Sequence, residues 1–261
     1  MIKSLNTAAT GMQAQQANMD VISNNLANSS TVGFKKSRAE FEDLLYHTVK
    51  DPGTATGANS VTPVGVQTGL GVRTAAIQKD FDQGSTMVTK NPLDMEIEGA
   101  GFFQVLTPDG QVSYTRDGQF KRDGTGKVVD KNGNALQPEI TIPPEAVNIQ
   151  ISNTGEVVVK MAGEEAPRNI GQLDIVNFVN PAGLKSMGRN LYTQTGASGQ
   201  PITTRPGLLG TGYLAQGQLE TSNVSIVDEM VNMITAQRSY ETNGKAVQAA
   251  DQMLQSVNNL R

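Results

Sequence analysis

Apolar residues recur every seven positions at both ends of this chain. Leu5, Met12, Met19 and Leu26 do so at the start, and Ile226, Met233, Tyr240, Val247 and Leu254 near the finish. Ile22 and Met230 widen the two stripes. A seven-residue repeat draws one apolar stripe along a helix, and the stripe needs a partner to cover it. The pattern predicts helices over residues 1–28 and 224–259, each on the order of 40–55 Å long at ~1.5 Å rise per residue. Ser225, three residues before Asp228, opens the second helix in the manner of a capping box, with the carboxylate near the positive helix end. Gly33 follows Ser29-Ser30 as a terminator of the first.

The first helix carries only two charges, Lys3 and Asp20. Its polar side is made of amides, among them Asn6, Gln13, Gln16, Asn24 and Asn28. A solvated helix normally shows Glu and Lys outward. An uncharged polar face suits packing against more protein, where a buried charge is expensive; the plainer reading is an ordinary polar surface helix. Gly11 costs about 1 kcal/mol relative to Ala inside a helix, which close approach of a neighbouring helix would offset.

The middle of the chain reads differently. Of the 27 glycines, all but Gly11, Gly33 and Gly244 lie outside segments 1–33 and 222–261. Short apolar runs alternate with Asp109-Gly110, Asp117-Gly118, Asp123-Gly124 and Asn132-Gly133, which signal hairpins. Phe102–Leu106 is expected to pair with Val112–Thr115 across Asp109-Gly110, with further strands at Val147–Ile151, Val157–Lys160 and Leu173–Phe178. Residues 39–49 read as a short helix or an extended segment. From 50 to 71 the chain is rich in Gly, Thr, Pro, Ala and Ser, with Pro52 and Pro63 among them, an extended and poorly self-supporting arm. The expected fold class is α+β. A terminal helical domain comprises 1–33 and 222–261, a linker and arm 34–71, and a central β-rich domain with hairpins 72–221. Because that domain hangs between the end of one helix and the start of the other, the helices must run antiparallel, as a coiled-coil-like pair.

Several function classes are disfavoured. A net charge of −4, a pI near 5.1 and no basic run argue against nucleic acid. No stretch approaches the ~18 apolar residues of a membrane span. Asn6, Thr7 and Thr10 interrupt any apolar core of a cleaved signal peptide, which alone would leave the protein in the cytoplasm. The absence of cysteine removes disulfides, thiolate nucleophiles and Cys-ligated metals; it reflects either chance or an exported protein. The single histidine, His47, falls in the arm, away from any Ser-His-Asp pattern. Asp123–Asp130 lacks the alternating acidic ligands of a calcium loop. Gly99-Ala100-Gly101 leads into a strand and not the helix of a dinucleotide fingerprint. Glu96 and Glu98 share a strand face without a recognisable cleft. No catalytic residue, cofactor or metal site is expected.

Three separated blocks carry a resemblance. Ile22-Ser23 followed by Asn24, Asn25, Leu26, Ala27 and Asn28, then Gly33, Phe34 and Lys35, resembles the N-terminal signature of bacterial flagellar rod and hook proteins. Glu220–Val224, Met230–Ile234, Gln237–Tyr240 and Lys245–Val247 resemble their C-terminal signature. Gly99–Phe103, Tyr114–Gly118 and Phe120 resemble their shared β region. The arm Tyr46–Pro63 is similar to an insertion that the distal-rod branch carries and hook proteins lack.

The resemblance implies an axial, tubular homopolymer in the basal body that joins the proximal rod to the hook and transmits motor torque across the periplasm. It implies export by the flagellar type III apparatus without a cleaved signal, and ring proteins around the rod. The apolar stripes would then form a helical assembly seam, ordered largely on polymerisation, and the arm would lock neighbouring subunits. The competing readings are a hook or proximal rod subunit, a tail-tube or fibre subunit, or a secreted β-rich enzyme or carbohydrate-binding module. The last would need an aromatic-lined cleft, and aromatics make up only 5% of residues.

Overall fold

The computed structural model describes residues 2–53, 55–57, 60–61, 63–163 and 166–258. They form an α+β protein of two compact units. The helical unit takes residues 1–27, 37–78 and 225–261, and the β unit takes 28–36 and 79–224.

In the helical unit, α1 spans Ile2–Ala27 and α2 spans Ile226–Asn258. Ser225 Oγ accepts the Asp228 N–H at 3.4 Å, and Asp228 and Glu229 sit in the first turn of α2, where carboxylates meet the helix dipole favourably. The pair is antiparallel. A Cβ on Gly11 would lie 2.9 Å from Asn243 Nδ2, and Asn25 lies 3.4 Å from Glu229. Moving fourteen residues forward along α1, from 11 to 25, moves the contact fourteen back along α2, from 243 to 229. Gly11 thus leaves room for the Asn243 side chain against α1. Beside α1 the strand Ser37–Asp43 pairs with Val72–Lys79.

One open reading is settled and one expectation corrected in this unit. Of the two readings of residues 39–49 the extended one holds: Ser37–Asp43 and Tyr46–Lys50 are both strands. The arm is not an unsupported extended segment. Tyr46–Lys50 pairs antiparallel with Val66–Gly69, so its ends close into a hairpin. Composition hid this because the pairing is carried by main-chain bonds, while the side chains Tyr46, Val49 and Val66 stay exposed.

The β unit is built on a seven-stranded antiparallel sheet. Its strand order is Phe120–Arg122, Val128–Asp130, Ala135–Gln137, Phe103–Leu106, Val112–Thr115, Leu191–Thr193, Lys185–Gly188. Phe103 opposes Thr115 and Leu106 opposes Val112 across Asp109-Gly110, the expected hairpin, with Gly110 at φ 75°. A three-stranded sheet of Ala146–Ile151, Glu156–Met161 and Arg168–Gln172 completes one side. Adjacent residues of a strand face opposite ways, and Phe102-Phe103 uses this. Phe103 packs edge-on to Phe120 at 5.2 Å in the larger core, with Met95, Ile97 and Val105. Phe102 joins Phe178, Tyr114 and Tyr192 in the smaller one.

Asp117-Gly118 departs from the hairpin reading. The strands on either side of it, Val112–Thr115 and Phe120–Arg122, are not neighbours in the sheet. Gly118 is required for a different reason: a Cβ there would lie 1.6 Å from the Met95 carbonyl oxygen. Gly118→Ala is expected to destabilise the β unit by about 3 kcal/mol or more, whereas Gly124→Ala, in open space, should change stability by less than about 1 kcal/mol. Urea unfolding of the two variants checks both.

Candidate functional site

The signature residues fall into two buried polar clusters. In the helical unit Asn25 is almost wholly buried. Its Nδ2 donates to the Ser37 carbonyl at 2.8 Å and its Oδ1 accepts the Ser37 N–H at 2.8 Å. One amide therefore satisfies both main-chain groups at the start of a strand, and reaches Glu229 Oε2 on α2 at 3.4 Å. Asn24 and Ala27 are exposed, and Leu26 is half-buried.

In the β unit, Gly33, Phe34 and Lys35 explain one another. Gly33 takes φ 67°, and a Cβ on it would meet the Asp117 nitrogen at 2.7 Å; both facts exclude a side chain. Its N–H donates to the Glu220 carbonyl at 2.8 Å. Phe34 lies beneath the Lys79 ammonium, 4.9 Å from the ring centroid. Lys35 is fully buried, with Nζ 2.6 Å from Glu220 Oε1 and 2.6 Å from the Asp82 carbonyl. Glu220 also accepts the Gly84 N–H at 2.8 Å and faces Arg116 at 3.4 Å. Burial draws the Lys35 and Arg116 cations below their usual range, and the Glu220 carboxylate opposes the shift for both. Lys36 N–H to Asn223 Oδ1 and Asp80 N–H to the Lys36 carbonyl, at 2.8 and 2.9 Å, close the set. The segments following α1 and preceding α2 are thereby clamped to residues 80–84 and to each other. The alternation of strands could not reveal this, because Lys35 and Glu220 stand 185 residues apart.

The two long helices carry the remaining site residues. Met233, Val247 and Leu254 are half-buried on the side of α2 that includes Ala236 (1% exposed), Asn243 and Ala250 (4% exposed). On α1, Ile22 is buried and Leu5, Met12 and Met19 are half-buried. Ile226, Met230 and Tyr240, read with the same stripe, are instead exposed. At about 100° per residue, Ile234 lies about 200° round the helix from Ala236. Val227 (70% exposed), Met230, Val231 and Ile234 (49%) form a second apolar face on the side of α2 turned away from α1. Tyr46, Pro52 and Pro63 are all exposed on the hairpin arm, beside the similarly exposed Leu45, Val64 and Val66.

Chemistry has little to work with here. Among the described residues no group of three or more His, Asp or Glu could hold a metal ion. Glu96 is buried, and its Oε1 accepts from Gln83 and Thr86 at 3.0 and 2.9 Å, whereas Glu98 is exposed. His47 is exposed, and its carbonyl accepts from Thr68 in the hairpin.

Residues 5–35 match the family described as "Flagella basal body rod protein", residues 96–159 "Flagellar hook protein FlgE/F/G D1 domain", and residues 215–260 "Flagellar basal body rod FlgEFG protein C-terminal". The chain is 51% identical, over 100% of both chains, to the flagellar basal-body rod protein FlgG of Buchnera aphidicola subsp. Schizaphis graminum. It is 45% identical to the protein of that name from Caulobacter vibrioides and 39% to that from Bacillus subtilis, again over 100% of both chains.

Both buried clusters are open to direct test. Lys35→Met leaves Glu220 short of its shortest partner and should lower the stability of the folded chain by about 3 kcal/mol, read by urea unfolding. Asn25→Ala strips both main-chain partners from Ser37 and should cost about 2 kcal/mol, with faster hydrogen exchange at the Ser37 amide.

Proposed function

We propose that the chain, which belongs to the flagellar basal-body rod protein family, polymerises through its helical unit into a rigid tube that carries torque from the motor to the hook. It is a structural subunit of the flagellar distal rod, resides in the basal body with other flagellar components, and is not an enzyme. No described helix is long and apolar enough to cross a membrane. The finer reading places it across the periplasm, after export by the type III apparatus without a cleaved signal. Its neighbours there are proximal rod, hook and ring proteins.

The observation that carries this reading is the second apolar face of α2. A solitary subunit would leave Val227, Met230, Val231 and Ile234 in water. Covering four half-exposed side chains gains roughly 1 kcal/mol each. That total of about 4 kcal/mol only reaches the low end of the association cost of about 4–15 kcal/mol, so one such contact leaves no surplus to hold two copies together. A polymer in which each copy touches several others, at more than one radius, does. The seam Leu5, Met12, Met19, Ile22, Leu26, Met233, Val247 and Leu254 orders fully within that layer. The arm lies across adjacent copies, and its exposed Leu45, Tyr46, Val49, Val64 and Val66 meet them.

Ile234→Asp changes an exposed position and should leave the folded chain intact while abolishing rods in electron micrographs of basal bodies; normal rods would contradict the reading. Deleting the hairpin 46–69 should give rods that bend. A measured persistence length unchanged from the full chain would count against a stiffening arm.

A further inference from the structure

We propose that the outer face of α2 in one copy seats in a groove on the helical unit of the next, with Arg238 of the first facing Asp20 of the second. The inference rests on the rod-subunit reading and supplies the surface that receives the unpartnered face. The groove has a volume of about 290 Å³ and is lined by Ala17, Asp20, Val21, Asn24, Ser37 and Ile77. Ala17, Val21 and the exposed Ile77 make it apolar, and Asp20 supplies the only negative charge in the lining. Asp20 is also the only acidic residue of α1.

The face opposite is complementary. Val227, Val231, Ile234 and Arg238 follow one another at helical spacing along one side of α2, so the apolar stretch ends in a cation. Neither Asp20 nor Arg238 takes part in an ion pair among the described residues. They cannot meet within one chain. The antiparallel register that sets Asn25 against Glu229 brings Asp20 level with Ile234, one turn before Arg238. Arg238, however, is on the side of α2 turned from α1, so a helix about 10–12 Å thick stands between them. The two charges therefore look outward, each toward another copy.

Groove and face are different surfaces of one subunit. A contact between them is head-to-tail, and it propagates as an open series instead of closing on a two-fold axis. The apolar side chains supply the burial. The surface ion pair contributes little affinity but selects one register, because a wrong alignment would set Arg238 against apolar groups or leave Asp20 covered and unpaired.

The chain contains no cysteine, so an Asp20→Cys, Arg238→Cys double variant has only those two thiols. A disulfide needs Cα atoms within about 7 Å, which no intrachain arrangement provides. The variant would replace the natural chain in the bacterium, and isolated basal bodies would be oxidised mildly and run on a non-reducing gel. The expected result is a ladder of dimers, trimers and longer covalent series, with neither single variant giving one. Asp20→Arg and Arg238→Asp should each lose rods, and the two together should restore them. If rods form but no ladder appears and both charge reversals assemble at the unmodified level, this contact is wrong while the rod reading stands. Crosslinking of residue 238 solely to a different protein likewise overturns it. Absence of rods from the unmodified chain would remove the rod reading and this inference with it.

Discussion

α2 has apolar side chains on two opposite sides, and α1 can cover only one of them. The inner side closes an antiparallel pair through small residues, with Gly11 against Asn243 and with Ala236 and Ala250 nearly inaccessible. Small residues allow the helices to approach closely, but they bury little apolar area, and burial is what stabilises a helix pair in water. The larger residues Val227, Met230, Val231 and Ile234 sit on the outer side, where the chain itself offers them nothing. Such a helix pair is weak by itself, and on the proposed reading further copies complete it.

The buried polar groups make sense against that weakness. Asn25 holds both main-chain groups of Ser37, and Lys35 pairs with Glu220 where neither side chain touches water. A buried ion pair adds little net stability compared with apolar residues of the same shape, yet losing one partner is costly. Its use here is geometric specificity. It fixes residues 33–36 against residues 80–84 and 220–223. The adjacent bonds of Gly33, Lys36 and Asn223 work in the same sense.

Much of this was legible in residue order, for identifiable reasons. The seven-residue spacing located both helices to within about two residues, and Asp109-Gly110, Asp123-Gly124 and Asn132-Gly133 each close a real hairpin. What failed depended on distance or on small side chains. Counting large apolar residues missed Ala236 and Ala250, nearly inaccessible against α1, because alanine adds nothing to such a count. Asp117-Gly118 has the composition of a turn, but its glycine serves the backbone of Met95. The arm looked unsupported because its strand pairing buries no large apolar side chain: Tyr46, Val49 and Val66 stay exposed. The partnership of Lys35 with Glu220 spans 185 residues and has no local signal.

On the proposed reading the outer face of α2 is covered by other copies in the rod. Methionine oxidation reads this directly, since Met230 sits within that face. Peroxide treatment of the soluble subunit and of intact rods, followed by mass spectrometry, compares its reactivity in the two states. Strong protection of Met230 in rods, against free reaction in the subunit, is the predicted result. Equal oxidation of Met230 in both states would contradict the account.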